Sequence, residues 1–150
     1  MKKMGIIDYL IKIKSSILQK IKEHAKNGFE ENKSEIIGFL IGYFSDKNVE
    51  IHDIVIPEQN STNIHAESVD ELPLIEYLKQ DNTNKIQVGW YHSHPNFGCF
   101  LSSVDIETQK YWQRINNKMV AIVIDPVKNE TKAFRLDNNN DVYEITIEEI

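Results

Sequence analysis

Hydrophobic positions along the chain switch between two periods, and the switches mark out its elements. Tyr9-Leu10-Ile11-Lys12-Ile13-Lys14 is β-branched and partly alternating, the pattern of a strand. Ser15 or Ser16 can then cap a helix, on which Ile17, Leu18, Ile21 and Ala25 form one apolar stripe and Gly28 is the expected stop. Residues 36–44 are apolar on both faces, with Gly38 and Gly42 among them. This predicts a central, buried strand that another backbone approaches closely. After a turn at Ser45-Asp46-Lys47-Asn48, residues 49–56 return as a strand that stops at Pro57. Residues 58–68 are polar and without period, a long loop of the kind that carries function. Asp70 is placed to cap a short helix bearing Leu74, Ile75 and Leu78, and residues 85–92 form the next strand. Ser102 or Ser103 opens a helix with Val104, Thr108, Tyr111, Trp112 and Ile115 on one face. Residues 119–124, 131–136 and 142–147 complete the strands, the last two joined by a turn at Asn138-Asn139-Asn140. The order βαββαβαβββ predicts an α/β (α+β) fold, a mixed β-sheet flanked by helices.

Composition narrows the function classes. At 150 residues the chain reads as a single domain over residues 1–150. Such a length buries about 68–70% of the unfolded surface, enough for a core without staples. Lys+Arg 17 minus Asp+Glu 23 leaves a net charge of −6, which argues against nucleic acid as the main partner. The single cysteine excludes an internal disulfide framework and suits a reducing, cytoplasmic setting. No apolar run approaches the ~18 residues of a membrane span. Met1-Lys2-Lys3 resembles the start of a signal peptide, but Asp8, Lys12 and Lys14 interrupt its apolar core, so none is expected.

The chemistry concentrates in Gly89-Trp90-Tyr91-His92-Ser93-His94-Pro95 and the following Ser102-Ser103-Val104-Asp105. In a strand, side chains at i and i+2 share a face, so His92 and His94 point together while Ser93 points away. Pro95 releases the chain into a loop, and Asp105 falls in the first turn of the next helix, facing the strand end. Two imidazoles and a carboxylate with an open fourth position is the form of a catalytic zinc site. Each residue also has a plainer explanation. A single histidine is often a surface or hydrogen-bonded core residue, an aspartate in a first turn suits the helix dipole, and Ser102 with Asp105 resembles a capping box. The combination at a strand–loop–helix junction is what points to metal. A general base is missing from this segment. Glu35, just before the apolar strand, is the candidate, with a solvated carboxylate like Glu30 or Glu31 as the alternative.

Glu35-x-x-Gly38-x-Leu40-x-Gly42, followed by His92-x-His94-Pro95, seven residues to Ser102 and two more to Asp105, resembles the JAMM motif. That motif marks the active, zinc-dependent branch of the MPN-domain family, which includes the deubiquitinating subunit of the proteasome lid and the isopeptidase subunit of the signalosome. The resemblance runs from about Leu10 to Leu136. It departs at Asn96, where such relatives have Gly, and at Phe100, where they have Trp; neither is a ligand position. It implies that His92, His94 and Asp105 bind Zn2+, that Glu35 is the general base and proton shuttle, and that Ser102 donates to the oxyanion. The implied reaction is hydrolysis of the isopeptide bond between the C-terminus of ubiquitin or a ubiquitin-like protein and a lysine. The loop at 58–68 occupies the place of the family's first insertion, which can pair with an extended ubiquitin tail. With the chain ending at Ile150 there is little room for a second insertion, which points to a minimal, free-standing enzyme of archaeal or bacterial type, although proteasome association stays open. Two other functions compete: a JAMM hydrolase of sulfur-carrier proteins or small amides, and a non-catalytic MPN scaffold, which the five filled positions disfavour. Cys99 is expected to be a small packed residue, Tyr111 and Trp112 core residues, and His24, His52 and His65 surface residues, His65 being of interest for its place on the substrate loop.

Overall fold

The computed structural model describes residues 9–57, 71–80 and 83–150. The loop expected at 58–68, with His65, and the cap expected at Asp70 lie outside these residues. The elements in chain order are β1 (Leu10–Ile13), α1 (Ser15–Asn32), β2 (Ile37–Phe44), β3 (Asn48–Val55), α2 (Leu72–Gln80), β4 (Ile86–Ser93), α3 (Ser103–Ile115), β5 (Val120–Asp125), β6 (Glu130–Leu136) and β7 (Val142–Glu149). Their order is the one expected, and the sheet is mixed. It runs β1-β3-β2-β4-β5-β6-β7 and closes on itself. Closure is made by β1, which pairs in parallel with both β3 and β7. A closed sheet has no free edge to template aggregation, and no local pattern announced it.

Both faces of the sheet are covered, so successive residues of a strand serve two different cores. Ile11, Leu40, Val88, Tyr91, Ile122 and Ile124 face the side closed by Ile17, Leu18, Ile21 and Ala25 of α1. Phe39, Ile41, Trp90, Ala121 and Val123 face the other side, with Leu74 of α2 and Trp112 of α3. This is why β2, β4 and β5 read as apolar throughout rather than alternating. Gly42 answers the expectation of close approach: a Cβ there would sit 1.8 Å from the Glu50 carbonyl oxygen of β3. The β2–β3 register shifts at that point, between Ile41 and Gly42.

Three local expectations are corrected. Helix α1 does not stop at Gly28; it continues to Asn32 and ends on Lys33, which takes a left-handed φ of 56° and donates its N–H to the Phe29 carbonyl. Gly28 serves packing instead, since a Cβ there would lie 2.3 Å from Ile36 Cγ2. At the other end the N-cap is Lys14, without a side-chain bond, and neither Ser15 nor Ser16 caps the helix. Finally, the face of α3 turned to the core is Asp105, Gln109 and Trp112. Val104, Tyr111 and Ile115 are exposed, so the expected stripe holds only at Trp112.

The end of β5 organises the loop that follows β4. Asp125 is fully buried, and its carboxylate accepts four backbone N–H groups: Asn96 at 2.8 Å, Gly98 at 2.8 Å, Val127 at 2.9 Å and Lys128 at 3.0 Å. Burial alone would raise its pKa, but these donors outweigh it and hold the carboxyl below the ordinary value. A lowered folded pKa means stability that is present above the unfolded carboxylate value of about 3.9 and lost as pH falls through the lower folded value. Asp125→Asn is expected to destabilise the fold by roughly 1–3 kcal/mol at pH 7. The gap to wild type should narrow as pH drops below about 4, and denaturant unfolding across pH 2–7 measures both effects.

Candidate metal centre

The central strand β4 lies between β2, antiparallel, and β5, parallel. Its last residues therefore meet the start of β2 on one side and the end of β5 on the other. Ile37 pairs with His92, and the His94 N–H donates to the Ile124 carbonyl at 2.8 Å. The strand geometry thus persists one residue past Ser93 and keeps both imidazoles on the same face, as the i, i+2 spacing required. Trp90, two residues earlier on that face, stacks on His92 with centroids 4.6 Å apart.

Helix α3 brings the carboxylate. Ser102 is its N-cap: Ser102 Oγ accepts the Asp105 N–H at 3.1 Å, and the Asp105 carboxylate accepts the Ser102 N–H at 2.9 Å. The capping box weighed as an alternative to a metal site is thus real, and the same Asp105 Oδ2 also lies 2.9 Å from His92 Nε2 and 3.0 Å from His94 Nε2. The two Nε2 atoms are 2.9 Å apart. Among the described residues, His92, His94 and Asp105, all buried, are the acidic, histidine or cysteine group whose donor atoms converge enough to hold a metal ion. The donor set itself favours a cation. Three lone-pair atoms crowd one point, and protons can bridge only some of the contacts between them, whereas one divalent ion answers all three.

The electrostatics agree with this crowding. Burial would raise the Asp105 pKa, but hydrogen bonds from His92 and His94 and the Ser102 N–H hold it well below the carboxylate range. Burial would lower that of His94, but the Asp105 hydrogen bond and charge, the Glu35 charge and the Gly98 backbone together raise it above 6.5. Glu35 itself is exposed, and it lines a cleft of about 300 Å3 with His94, Phe97, Phe100, Ser102, Val104 and Asp105. The fold therefore gathers all five expected residues at one end of β4.

Other expectations divide. Cys99 is a half-buried packed residue whose Sγ donates to the Val123 carbonyl, and it is no part of the metal cluster. His24 is not a surface residue: it is half-buried with Nδ1 2.7 Å from the Tyr91 hydroxyl, and burial pushes its pKa down to about 4. His52 is likewise partly buried, with Nε2 3.0 Å from Glu50 Oε1. At Asn96 the backbone has a φ of 67°, a left-handed conformation that glycine adopts freely and asparagine tolerates best after it. Phe100 tilts over the His94 ring at 4.8 Å.

Gln109 was missed as part of the support. It is fully buried on α3, accepts the Trp90 indole N–H at 2.8 Å, and donates to the Met119 carbonyl at 2.9 Å. It ties the helix to the strand one turn beyond Asp105. The signal available in the sequence was its i+4 spacing from Asp105 together with the need of a buried tryptophan for an acceptor.

Comparison with known proteins places this geometry. The family described as JAB1/Mov34/MPN/PAD-1 ubiquitin protease matches residues 9–118. The chain is 39% identical over 120 residues to the 26S proteasome regulatory subunit RPN11 of Candida glabrata, covering 77% of this chain and 38% of that one. It is 38% identical, with the same coverage, to the ubiquitin carboxyl-terminal hydrolase RPN11 of Saccharomyces cerevisiae. To the 26S proteasome non-ATPase regulatory subunit 14 of Drosophila melanogaster it is 36% identical over 137 residues, 85% of this chain and 44% of that one. The chain spans less than half the length of these curated relatives. Since the matched region holds Glu35, His92, His94, Ser102 and Asp105 and most of the barrel, this chain belongs to the JAB1/Mov34/MPN/PAD-1 family.

Proposed function

We propose that this chain is a zinc-dependent isopeptidase. It would hydrolyse the bond between the C-terminus of ubiquitin or a ubiquitin-like protein and a lysine. The observation that carries this is the convergence of His92, His94 and Asp105 beside a cleft that Glu35 and Ser102 also line. A relative named as a ubiquitin carboxyl-terminal hydrolase supports the substrate class. Relatives named as 26S proteasome subunits support association with a proteasome-type particle.

His92, His94 and Asp105 would hold the zinc. When bound, zinc supplies Lewis acidity, polarising a carbonyl and lowering the pKa of water toward about 7. The remaining chemistry belongs to the chain. Glu35 takes the proton of the attacking water and returns it to the departing lysine amine, which an amide needs because an amide anion is a poor leaving group. The Ser102 oxygen uses a lone pair on the Asp105 N–H and keeps its own O–H proton, which it donates to the developing oxyanion. Phe97, Phe100 and Val104 give the cleft apolar walls that exclude water around the scissile bond.

Purified protein is expected to hold about one zinc per chain, a 1:1 site of the usual kind, and to lose turnover on chelation. The pKa of His94 is raised, chiefly by the Asp105 hydrogen bond and charge, so a proton competes with the metal for this ligand. Zinc affinity should therefore rise with pH across the histidine range, read by competition titration against a zinc chelator between about pH 5 and 8; a pH-independent affinity contradicts the ligand assignment. Glu35→Gln should keep the metal while kcat for an isopeptide-linked ubiquitin reporter falls by about 10²–10⁴. Ser102→Ala is expected to lower kcat by roughly 10²–10³, and to cost about 1 kcal/mol of stability through the lost cap. Turnover of a sulfur-carrier conjugate but not of ubiquitin by the zinc-loaded chain would keep the chemistry and change the substrate class.

A further inference from the structure

Ser93, between the two histidines, faces the other side of the sheet and is fully buried. It grips one residue at both of its backbone groups. The Ser93 N–H donates to the Ile36 carbonyl at 3.1 Å, and Ser93 Oγ accepts the Ile36 N–H at 2.9 Å. The last regular pair of the β2–β4 ladder is Ile37 with His92. One step further on, a side-chain hydroxyl takes the place that a ladder carbonyl would occupy. Ile36 is held on its other side too, because its side chain is buried in the α1 core and packs into the space left by Gly28. The next residue back is Glu35, which is exposed, and among the described residues no hydrogen bond or ion pair holds its side chain. The carboxylate is thus located by its backbone, and the backbone is located by Ile36.

We propose that Ser93 is a positioning residue for Glu35, acting through the Ile36 amide: it fixes the base relative to the metal ligands and governs kcat without touching metal or substrate. This rests on the isopeptidase reading for its kinetic consequence but not for the clamp itself. The clamp follows from chain geometry, and only its cost in rate depends on Glu35 being the base. A displacement of about 1 Å in a reacting group is enough to lower a rate by about 10²-fold.

The full chain carrying Ser93→Ala, and separately Ser93→Thr, tests this with two kinds of readout. By NMR hydrogen exchange, the Ile36 amide in Ser93→Ala should exchange at least about tenfold faster relative to the Leu40 amide of β2, since it loses its acceptor. Zinc stoichiometry and KM should stay at the wild-type values while kcat falls by roughly 10–100-fold, and Ser93→Thr, which keeps a hydroxyl, should recover exchange and kcat to within about threefold. Should the threonine methyl prevent folding, a double-mutant cycle decides. Adding Ser93→Ala to Glu35→Gln should lower the residual kcat by less than about twofold if the two residues act as a unit. Unchanged kcat in Ser93→Ala, a parallel loss of zinc, or multiplicative losses in the cycle would each overturn the proposal. A zinc-loaded wild type that cleaves no isopeptide substrate would sink the proposed function alone, and the Ile36 exchange ratio would still support or refute the clamp.

Discussion

The pairing of Ile37 with His92 is the contact on which the site depends. Because β4 is antiparallel to β2 and parallel to β5, its C-terminal end meets the start of β2 and the end of β5. That single register brings Glu35 within electrostatic reach of His94 across fifty-nine positions of sequence and lets the Ile124 carbonyl hold the His94 backbone. A one-residue slip would turn every side chain of β4 to the opposite face. Both faces are fully packed against helices, so such a slip would put Tyr91 among the α3 contacts and both histidines into the α1 core.

Asp105 shows how one carboxylate can close a helix cap and complete a candidate metal group together. As the third residue of α3 it closes a capping box with Ser102, and the oxygen that accepts the Ser102 N–H is the one that meets both imidazoles. The cap restrains the carboxylate before any metal arrives, and Gln109 restrains the helix that carries it. Asp125 does the corresponding service for the loop between His94 and Asp105, with four backbone donors on one buried carboxylate. Preorganisation of this kind is what a centre needs if it is to stabilise charge without moving when the charge develops.

The face of α3 explains one failure of reading. Periodicity favoured Val104, Tyr111 and Ile115 as the core stripe because they are apolar, yet all three are exposed and the buried positions include Asp105 and Gln109. A polar side chain goes inside when its partners are there, and the partners of these two come from β4 and from the residues leading into β5. The misplaced end of α1 has a similar cause. Gly28 looks like a stop, but it is needed where Ile36 packs, and the helix ends instead on a left-handed Lys33. Glycine's two uses, a free φ and an absent side chain, are indistinguishable in a string of letters.

What the sequence alone determined was therefore local. Strand and helix order follow from hydrophobic period, and the common face of His92 and His94 follows from a spacing of two. The cap that aims Asp105 follows from Ser-x-x-Asp. Each of these is settled within one or two turns or pleats of chain. Only the tertiary structure decided the closing of the barrel by β1 between β3 and β7, the inward face of α3, the Trp90–Gln109 and Ser93–Ile36 bonds, and the arrival of Glu35 at the cleft. These depend on which distant segments share a sheet. Such a choice is made by the joint packing of two cores, and no single segment's pattern contains it.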